Sequence, residues 1–392
     1  MLRRDDSHLN DMMPSPDVTS PEVSPDERWI DATYRVQGSA GAIEARALAI
    51  ALEQSIEAPV QAVTDARVMQ EVVGRVAAIV QVAPELFNVT IRLSVETTGL
   101  EAGQLLNMLF GNSSLQEDVA LADADFPSGF AAHFGGPRHG VSGIRALTGV
   151  YGRPLTCTAL KPQGLSSTQL AALARTFAQA GVDVIKDDHG LANQVAAPFA
   201  ERVHDVQRAI DSVNRETGRR TAYAPSLTGN LEEIRAQVAQ ARQMGVGMLL
   251  VTPMVSAVST LATLAREAGM PILAHPALAG ASRIAPSLLL GKLFRLFGAD
   301  AAIFPNAGGR FSYTPETCAA IALAARGSWH GLAPTLPVPA GGMSVERVPE
   351  MRAIYGDDTM LLIGGSLLAA RDRLLERSQE FVAAVHASVP SQ

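Results

Sequence analysis

The stretch AGVDVIKDDHGLAN, residues 180–193, sets a short and mostly apolar run, Val182 to Ile185, directly before Lys186, Asp187, Asp188 and His189, with Gly190 following. An apolar run of this length bounded by glycines reads as a buried strand. Charged groups are expensive to bury unless they are paired or bound to a metal. A buried strand that ends in one lysine, two aspartates and a histidine therefore marks a place where charge has a use. Upstream, Leu170, Leu173, Ala174 and Phe177 recur at helical spacing, Ser166 with Gln169 has capping-box form, and Gly181 supplies a stop. The unit is a helix, a glycine, a buried strand and a polar end.

The same rhythm runs from about residue 148 to the C-terminus. Eight β-favouring runs occur: PLTCTALK (154–161), VDVIKDD (182–188), RTAYAPS (220–226), GMLLVTP (247–253), PILAHP (271–276), AAIFPN (301–306), LPVPAGG (336–342) and TMLLIGG (359–365). Helical signals lie between them. Asn230 with Glu233 starts one helix, and Thr314-Pro315 puts proline at a first helical position. Gly291, inside SLLLGKLFRLFG, counts against another. Eight evenly spaced strand–helix units over residues 148–392 predict a (β/α)8 TIM barrel. A doubly wound open sheet is the rival, and the even spacing favours closure.

Residues 29–147 differ. WIDATYRVQ and FNVTIRLSV are strand-like, and each is followed by a helical segment, at 42–55 and 100–110. Two such repeats predict a smaller α+β domain of ferredoxin-like type. Residues 1–28, rich in Pro, Ser and Asp, read as a disordered tail without the apolar stretch of a signal peptide. The net charge of −7 argues against nucleic acid as a partner, and no apolar run is long enough to span a membrane. Two cysteines, Cys157 and Cys318, make neither a disulfide framework nor a thiolate zinc site. A cytoplasmic location is the default expectation.

In a barrel the C-terminal strand ends converge on one face, where active sites are built. Lys161, Asp188, His275, Asn306, Gly341–Gly342 and Gly364–Gly365 all sit at such ends. Lys186 and Asp188, two apart, share one face of their strand, where a carboxylate suits a hard cation such as Mg2+. Burial lowers a lysine pKa, and a neutral amine can add CO2 to form an oxygen-donating carbamate. A plain Lys–Asp ion pair is the competing reading. Lys161 is placed to act as acid, base or electrostatic stabiliser, against a snorkelling surface lysine. His275 is a strand-end catalyst or a satisfied core histidine. The two glycine pairs, on strands seven and eight, fit one substrate phosphate, against simple tight turns.

Taken together, ATYRV, FGN, FGGPRHG, YGRPLTCTALKPQGLS, GVDVIKDDH, AHPALAG, PAGGM and YGDDTMLLIGG occur in the order seen in RuBisCO, and the chain resembles RuBisCO-like proteins more closely still. The resemblance runs from about residue 30 to the end. It implies that Lys186 is carbamylated by CO2 and that the carbamate and Asp188 bind Mg2+, with His189 where RuBisCO has a glutamate. It implies a proton-handling Lys161, an active-site His275, and a phosphate site at Gly341, Gly342, Gly364 and Gly365. Asn112 and Glu53 match residues that reach the active site of a partner subunit, which implies a homodimer or higher.

Departures narrow the function. The second lysine of the KPK motif is Gln163, which with Asn306 is expected to contact substrate; the arginine beside the strand-five histidine is Pro276, and the serine before the strand-seven glycines is Ala340. The strand-six loop, FPNAGGRFSY, lacks the carboxylate-stabilising lysine. A ribulose bisphosphate carboxylase is excluded on these grounds. A Mg2+ site, one phosphate site and proton-handling groups remain, a kit for forming an enediolate from a phosphorylated keto compound. The first expectation is a lyase or hydrolase acting on 3-oxo-isoapionate 4-phosphate in apiose and apionate catabolism, by decarboxylation or transcarboxylation. It is preferred because a β-keto acid losing CO2 leaves the same metal-bound enolate without needing the missing carboxylate-stabilising lysine, and because the site shows few apolar candidates for a thioether. The alternative is a methionine-salvage enolase or isomerase acting on a methylthio-sugar phosphate. A non-catalytic sugar-phosphate-binding relative is the third reading.

Overall fold

The computed structural model describes residues 27–387. The predicted tail lies outside the described residues except for Glu27 and Arg28.

Strands β1 (Trp29–Gln37), β2 (Arg75–Ala83), β3 (Leu86–Ser94) and β4 (Val119–Asp125) form an antiparallel sheet in the order β2-β3-β1-β4. Helices Ile43–Glu53 and Ala102–Phe110 follow β1 and β3, which is the ferredoxin-like arrangement. Side chains alternate across a strand. In β1, Ile30, Ala32, Tyr34 and Val36 are buried, and in β3, Phe87, Val89, Ile91 and Leu93 are buried against the same core. Each large apolar side chain there contributes about 1.5–3 kcal/mol, and a one-residue slip would expose the whole set. That pattern fixes the register Tyr34↔Val89.

The eight later runs are eight parallel strands: β5 (Leu155–Leu160), β6 (Val184–Asp187), β7 (Ala222–Ala224), β8 (Leu249–Val251), β9 (Ile272–Ala274), β10 (Ala301–Pro305), β11 (Leu336–Ala340) and β12 (Met360–Leu362). They form two arcs, β12-β5-β6-β7 and β8-β9-β10-β11. The β7–β8 joint is bridged at Ser226 and Leu250. The other joint has a chemical peculiarity. Leu336 donates its N–H to Asp300, and the Ala340 carbonyl accepts from Asn306, so Leu336, Val338 and Ala340 face β10. Pro337 and Pro339 therefore face β12, and neither has an N–H to give. Among the described residues β11 and β12 form no paired ladder; the Thr359 hydroxyl donates to the Pro337 carbonyl at 3.0 Å.

Gly291 does not break its segment. Residues Ser287–Leu293 form a wide helical turn that continues into Phe294–Leu296. A side-chain carbon built on Gly291 would fall 2.6 Å from Cβ of Ala324, so glycine there permits close packing on helix Pro315–Arg326. No helix among the described residues is long and apolar enough to cross a membrane.

Candidate active site

The end of β6 separates its two aspartates by the strand's alternation. Asp187 turns into the barrel wall, where it meets Arg202 from helix Phe199–Thr217. Both side chains are fully buried, with Nε to Oδ2 at 3.0 Å. The Tyr223 hydroxyl and the Ser226 amide complete the acceptor set of Asp187, at 2.8 and 3.0 Å. Burial pushes the Asp187 carboxyl up, while the Arg202 charge and the hydrogen bonds from Ser226 and Tyr223 pull against it. The Asp187 ion pair is structural, as the alternation predicts.

Lys186 and Asp188 face the barrel interior. Lys186 is 3% exposed, and its Nζ donates to the Asp187 carbonyl at 2.8 Å. Burial is the main cause that lowers its pKa, which favours the neutral amine. Asp188 is ion-paired with Lys161 and accepts from Gln163 Nε2 at 3.3 Å. Burial pushes the Asp188 carboxyl up, but hydrogen bonds from His189 and Lys161 and the charges of Lys161 and Lys186 outweigh it and hold it well below the carboxylate range. His189 Nδ1 lies 3.6 Å from Asp188, and its ring stacks on His275 with centroids 3.9 Å apart. Burial, then the Lys186 charge and the neighbouring His189, push the His275 pKa down to about 2. His275 is thus neutral. Its Nδ1 accepts from the Ala277 N–H at 3.2 Å, which assigns the proton to Nε2.

These groups line one cavity of about 1010 Å³ at the mouth of the barrel. Lys161, Lys186, Asp188, His189, His275, Gly341, Gly342, Gly364 and Gly365 all border it. Gly342 has a φ of 84°, and a side-chain carbon there would fall 2.8 Å from the Arg310 amide nitrogen. The glycine is required both by the backbone and by the approach of the strand-six loop.

Four predicted residues do not border the cavity. Gln163 stands behind Asp188. Asn306, expected to bind substrate, is 1% exposed and turned into the wall, where its carbonyl accepts from the Tyr355 hydroxyl and its amide donates to the Ala307 carbonyl. Its polar atoms are used inside the fold. Asn112 and Glu53 lie on the α+β domain, where the Asn112 amide donates to Glu53 and Glu57 at 2.8 and 3.0 Å.

The cavity also holds an apolar wall that the sequence pattern does not mark. Leu278, Phe311, Tyr313 and Met343, with Pro276 at the end of its run, form it. The first four lie in the loops after β9, β10 and β11, beyond the strand-end runs. This corrects the expectation of a site poor in apolar groups. Arg310, from the same FPNAGGRFSY loop that lacks the lysine, also borders the cavity.

The donor set fits a hard cation on one condition. Among the described residues no group of three or more His, Cys, Asp or Glu converges as a metal site. Asp188 supplies one carboxylate, and His189 lies beside it. A further oxygen ligand has to come from CO2 carried by Lys186, whose buried, low-pKa amine suits that addition.

Residues 140–371 match the family model for the ribulose bisphosphate carboxylase large chain, catalytic domain. The chain is 54% identical over 356 residues to a 5-methylthioribulose-1-phosphate isomerase of Rhodospirillum rubrum, covering 90% of this chain and 95% of that one. It is 35% identical over 296 residues to a 2,3-diketo-5-methylthiopentyl-1-phosphate enolase of Geobacillus thermodenitrificans, covering 73% and 71%. The crystal structure of a Rubisco-like protein from Rhodopseudomonas palustris superposes with a TM-score of 0.87 at 48% identity, covering 93% of this chain and all of that one. The chain therefore belongs to the RuBisCO large-chain family, as a form IV RuBisCO-like protein.

Proposed function

We propose that this protein is a methionine-salvage isomerase that shifts the carbonyl of 5-methylthioribulose 1-phosphate by proton transfer through an enediolate. The observation that carries the reading is the make-up of the cavity wall. Lys161, Asp188 and His275, the glycine pairs after β11 and β12, and the apolar side chains Leu278, Phe311, Tyr313 and Met343 all border one space. A thioether needs such a wall, and a polar branched keto acid does not. The identity to the Rhodospirillum rubrum isomerase supports the same substrate. The methionine-salvage alternative thus displaces the first expectation, 3-oxo-isoapionate 4-phosphate.

Each residue has a role in this reading. Gly341, Gly342, Gly364 and Gly365 admit the phosphate to backbone N–H groups. His275 presents its Nε2–H to a substrate oxygen and stays neutral, so it strengthens as a donor while charge develops on that oxygen. Lys161, once it has left its proton with the Asp188 side of the ion pair and stands as the free amine, takes the proton from the carbon beside the carbonyl and returns it at the neighbouring position. Mg2+ held by Asp188, His189 and the Lys186 carbamate would supply Lewis-acid stabilisation of the oxyanion. The apolar wall excludes water from the reacting carbons. Asn112 and Glu53 complete the site of a partner subunit in a homodimer.

The test is to incubate the enzyme with Mg2+, bicarbonate and 5-methylthioribulose 1-phosphate in D2O and to follow 31P and 1H spectra. An isomeric ketose phosphate carrying deuterium at a carbon beside the carbonyl is the expected result. No change in that substrate, with turnover of 3-oxo-isoapionate 4-phosphate, would overturn the proposal. The Geobacillus relative favours a second reading as an enolase, which turnover of 2,3-diketo-5-methylthiopentyl 1-phosphate alone would select.

A further inference from the structure

The proposed phosphate site has a charge problem. A phosphate monoester carries about −1.5 to −2 charges at neutral pH. The glycine pairs offer backbone dipoles and no full charge. Pro276 leaves the β9 end of the cavity without a cation. Lys161 is occupied by Asp188, and Lys186 is buried with its amine donating to the Asp187 carbonyl. Enclosing a dianion without a counter-charge is costly.

One cavity cation remains free among the described residues. The Arg310 backbone N–H donates to the Gly341 carbonyl at 3.0 Å, and its Cγ would lie 3.1 Å from a side-chain carbon on Gly342. The residue is thus folded directly onto the strand-seven glycine pair. Its guanidinium lies 5.5 Å from the Phe311 ring centroid and, among the described residues, makes no ion pair. The Phe311 ring itself lies against Gly341. From the helical turn Val345–Arg347 after β11, Arg347 braces the base of the same loop by donating Nη2 to the Ala307 carbonyl at 2.8 Å.

We infer that Arg310 is the phosphate-binding cation of this site, closing over the glycine pair to form charge-assisted hydrogen bonds with the phosphate oxygens. The inference rests on the proposed phosphate site. A planar guanidinium matches phosphate in a two-pronged way that a lysine cannot.

The experiment compares wild type, Arg310→Ala and Arg310→Lys, with circular dichroism to establish that each is folded. Inorganic phosphate binding is measured by calorimetry, and KM and kcat are measured for 5-methylthioribulose 1-phosphate. Hydrogen bonds to a charged partner are worth roughly a 10- to 100-fold change in affinity. Arg310→Ala is expected to weaken phosphate binding and raise KM by about that factor, with a smaller change in kcat, and Arg310→Lys is expected to recover part of the loss. Phosphate binding by folded Arg310→Ala within twofold of wild type would overturn the inference. So would an Arg310→Lys variant no better than alanine in both measurements. If wild type binds phosphate through Arg310 yet leaves the methylthio-sugar phosphate unchanged, the assigned substrate fails and the phosphate role of Arg310 stands.

Discussion

Replacing Arg202 by Met tests whether the buried pair behind β6 holds the catalytic strand in place. Arg202 and Asp187 are both fully buried, and Asp187 lies between Lys186 and Asp188 in the chain. Removing one member of a buried pair costs about 3–5 kcal/mol, because an uncompensated charge stays behind. Asp187 would keep the Tyr223 and Ser226 donors, which lowers the cost. The carbonyls of Ala192 and Ala197 would lose the Nη1 donor, which raises it. About 3–5 kcal/mol therefore stands as the expected loss in urea unfolding at pH 7. The pH dependence has a definite sign. Burial already pushes the Asp187 carboxyl up, and losing Arg202 pushes it further. Above the usual aspartate pKa the folded variant then binds more protons than the unfolded chain, so its stability falls as pH rises. The gap to wild type is smallest in mild acid and widest at neutral pH. Adding Asp187→Asn should recover most of the loss, since a matched neutral pair leaves no charge behind. A single variant within about 1 kcal/mol of wild type, or a double variant no better than the single, would refute the reasoning.

Other substitutions probe separate parts of the site. Lys186→Ala should abolish turnover and its activation by bicarbonate and Mg2+, checked by steady-state rates with and without each. Asn112→Ala should cripple turnover, and mixing it with Lys186→Ala subunits should restore part of the activity, because in the proposed homodimer only hybrids carry one intact shared site. Gly342→Val should raise KM by more than tenfold, since its side chain would meet the Arg310 amide and strain a φ of 84°; substrate titration reads this directly. Gly291→Ala should destabilise the fold by about 1–3 kcal/mol through overpacking, despite the better helix propensity of alanine, as thermal unfolding would record.

The barrel was legible because the hydrophobic rhythm repeats. Each of the eight runs contains its strand, and Lys161, Asp188, His275 and the two glycine pairs at their ends meet at one mouth. The capping boxes at Ser166 and Asn230 form as their spacing predicts. Other features left weaker traces. Asn306 sits at a strand end like His275, but a position at an end does not fix which way a side chain turns, and Tyr355 captures it. Arg202 shares a helix face with Phe199, Val203 and Val206; an arginine on an apolar stripe signals a buried partner without naming Asp187. The apolar cavity wall depends on loops that have no period, so its members are brought together only by folding. Gly291 reads as a helix breaker alone and as a packing surface once Ala324 lies against it.

The two prolines of β11 give the barrel an uneven distribution of protectable amides. Seven joints between neighbouring strands are held by backbone bonding, and the eighth lacks the donors that Pro337 and Pro339 would have supplied. That joint runs between the two strands whose ends carry the glycine pairs. A phosphate held by both glycine pairs, as proposed, would act as a removable rivet across the barrel's least-stitched seam. Occupancy of the site should therefore slow deuterium uptake at Met360 to Leu362 more than at β5 or β6, coupling the tightness of the whole cylinder to the presence of substrate.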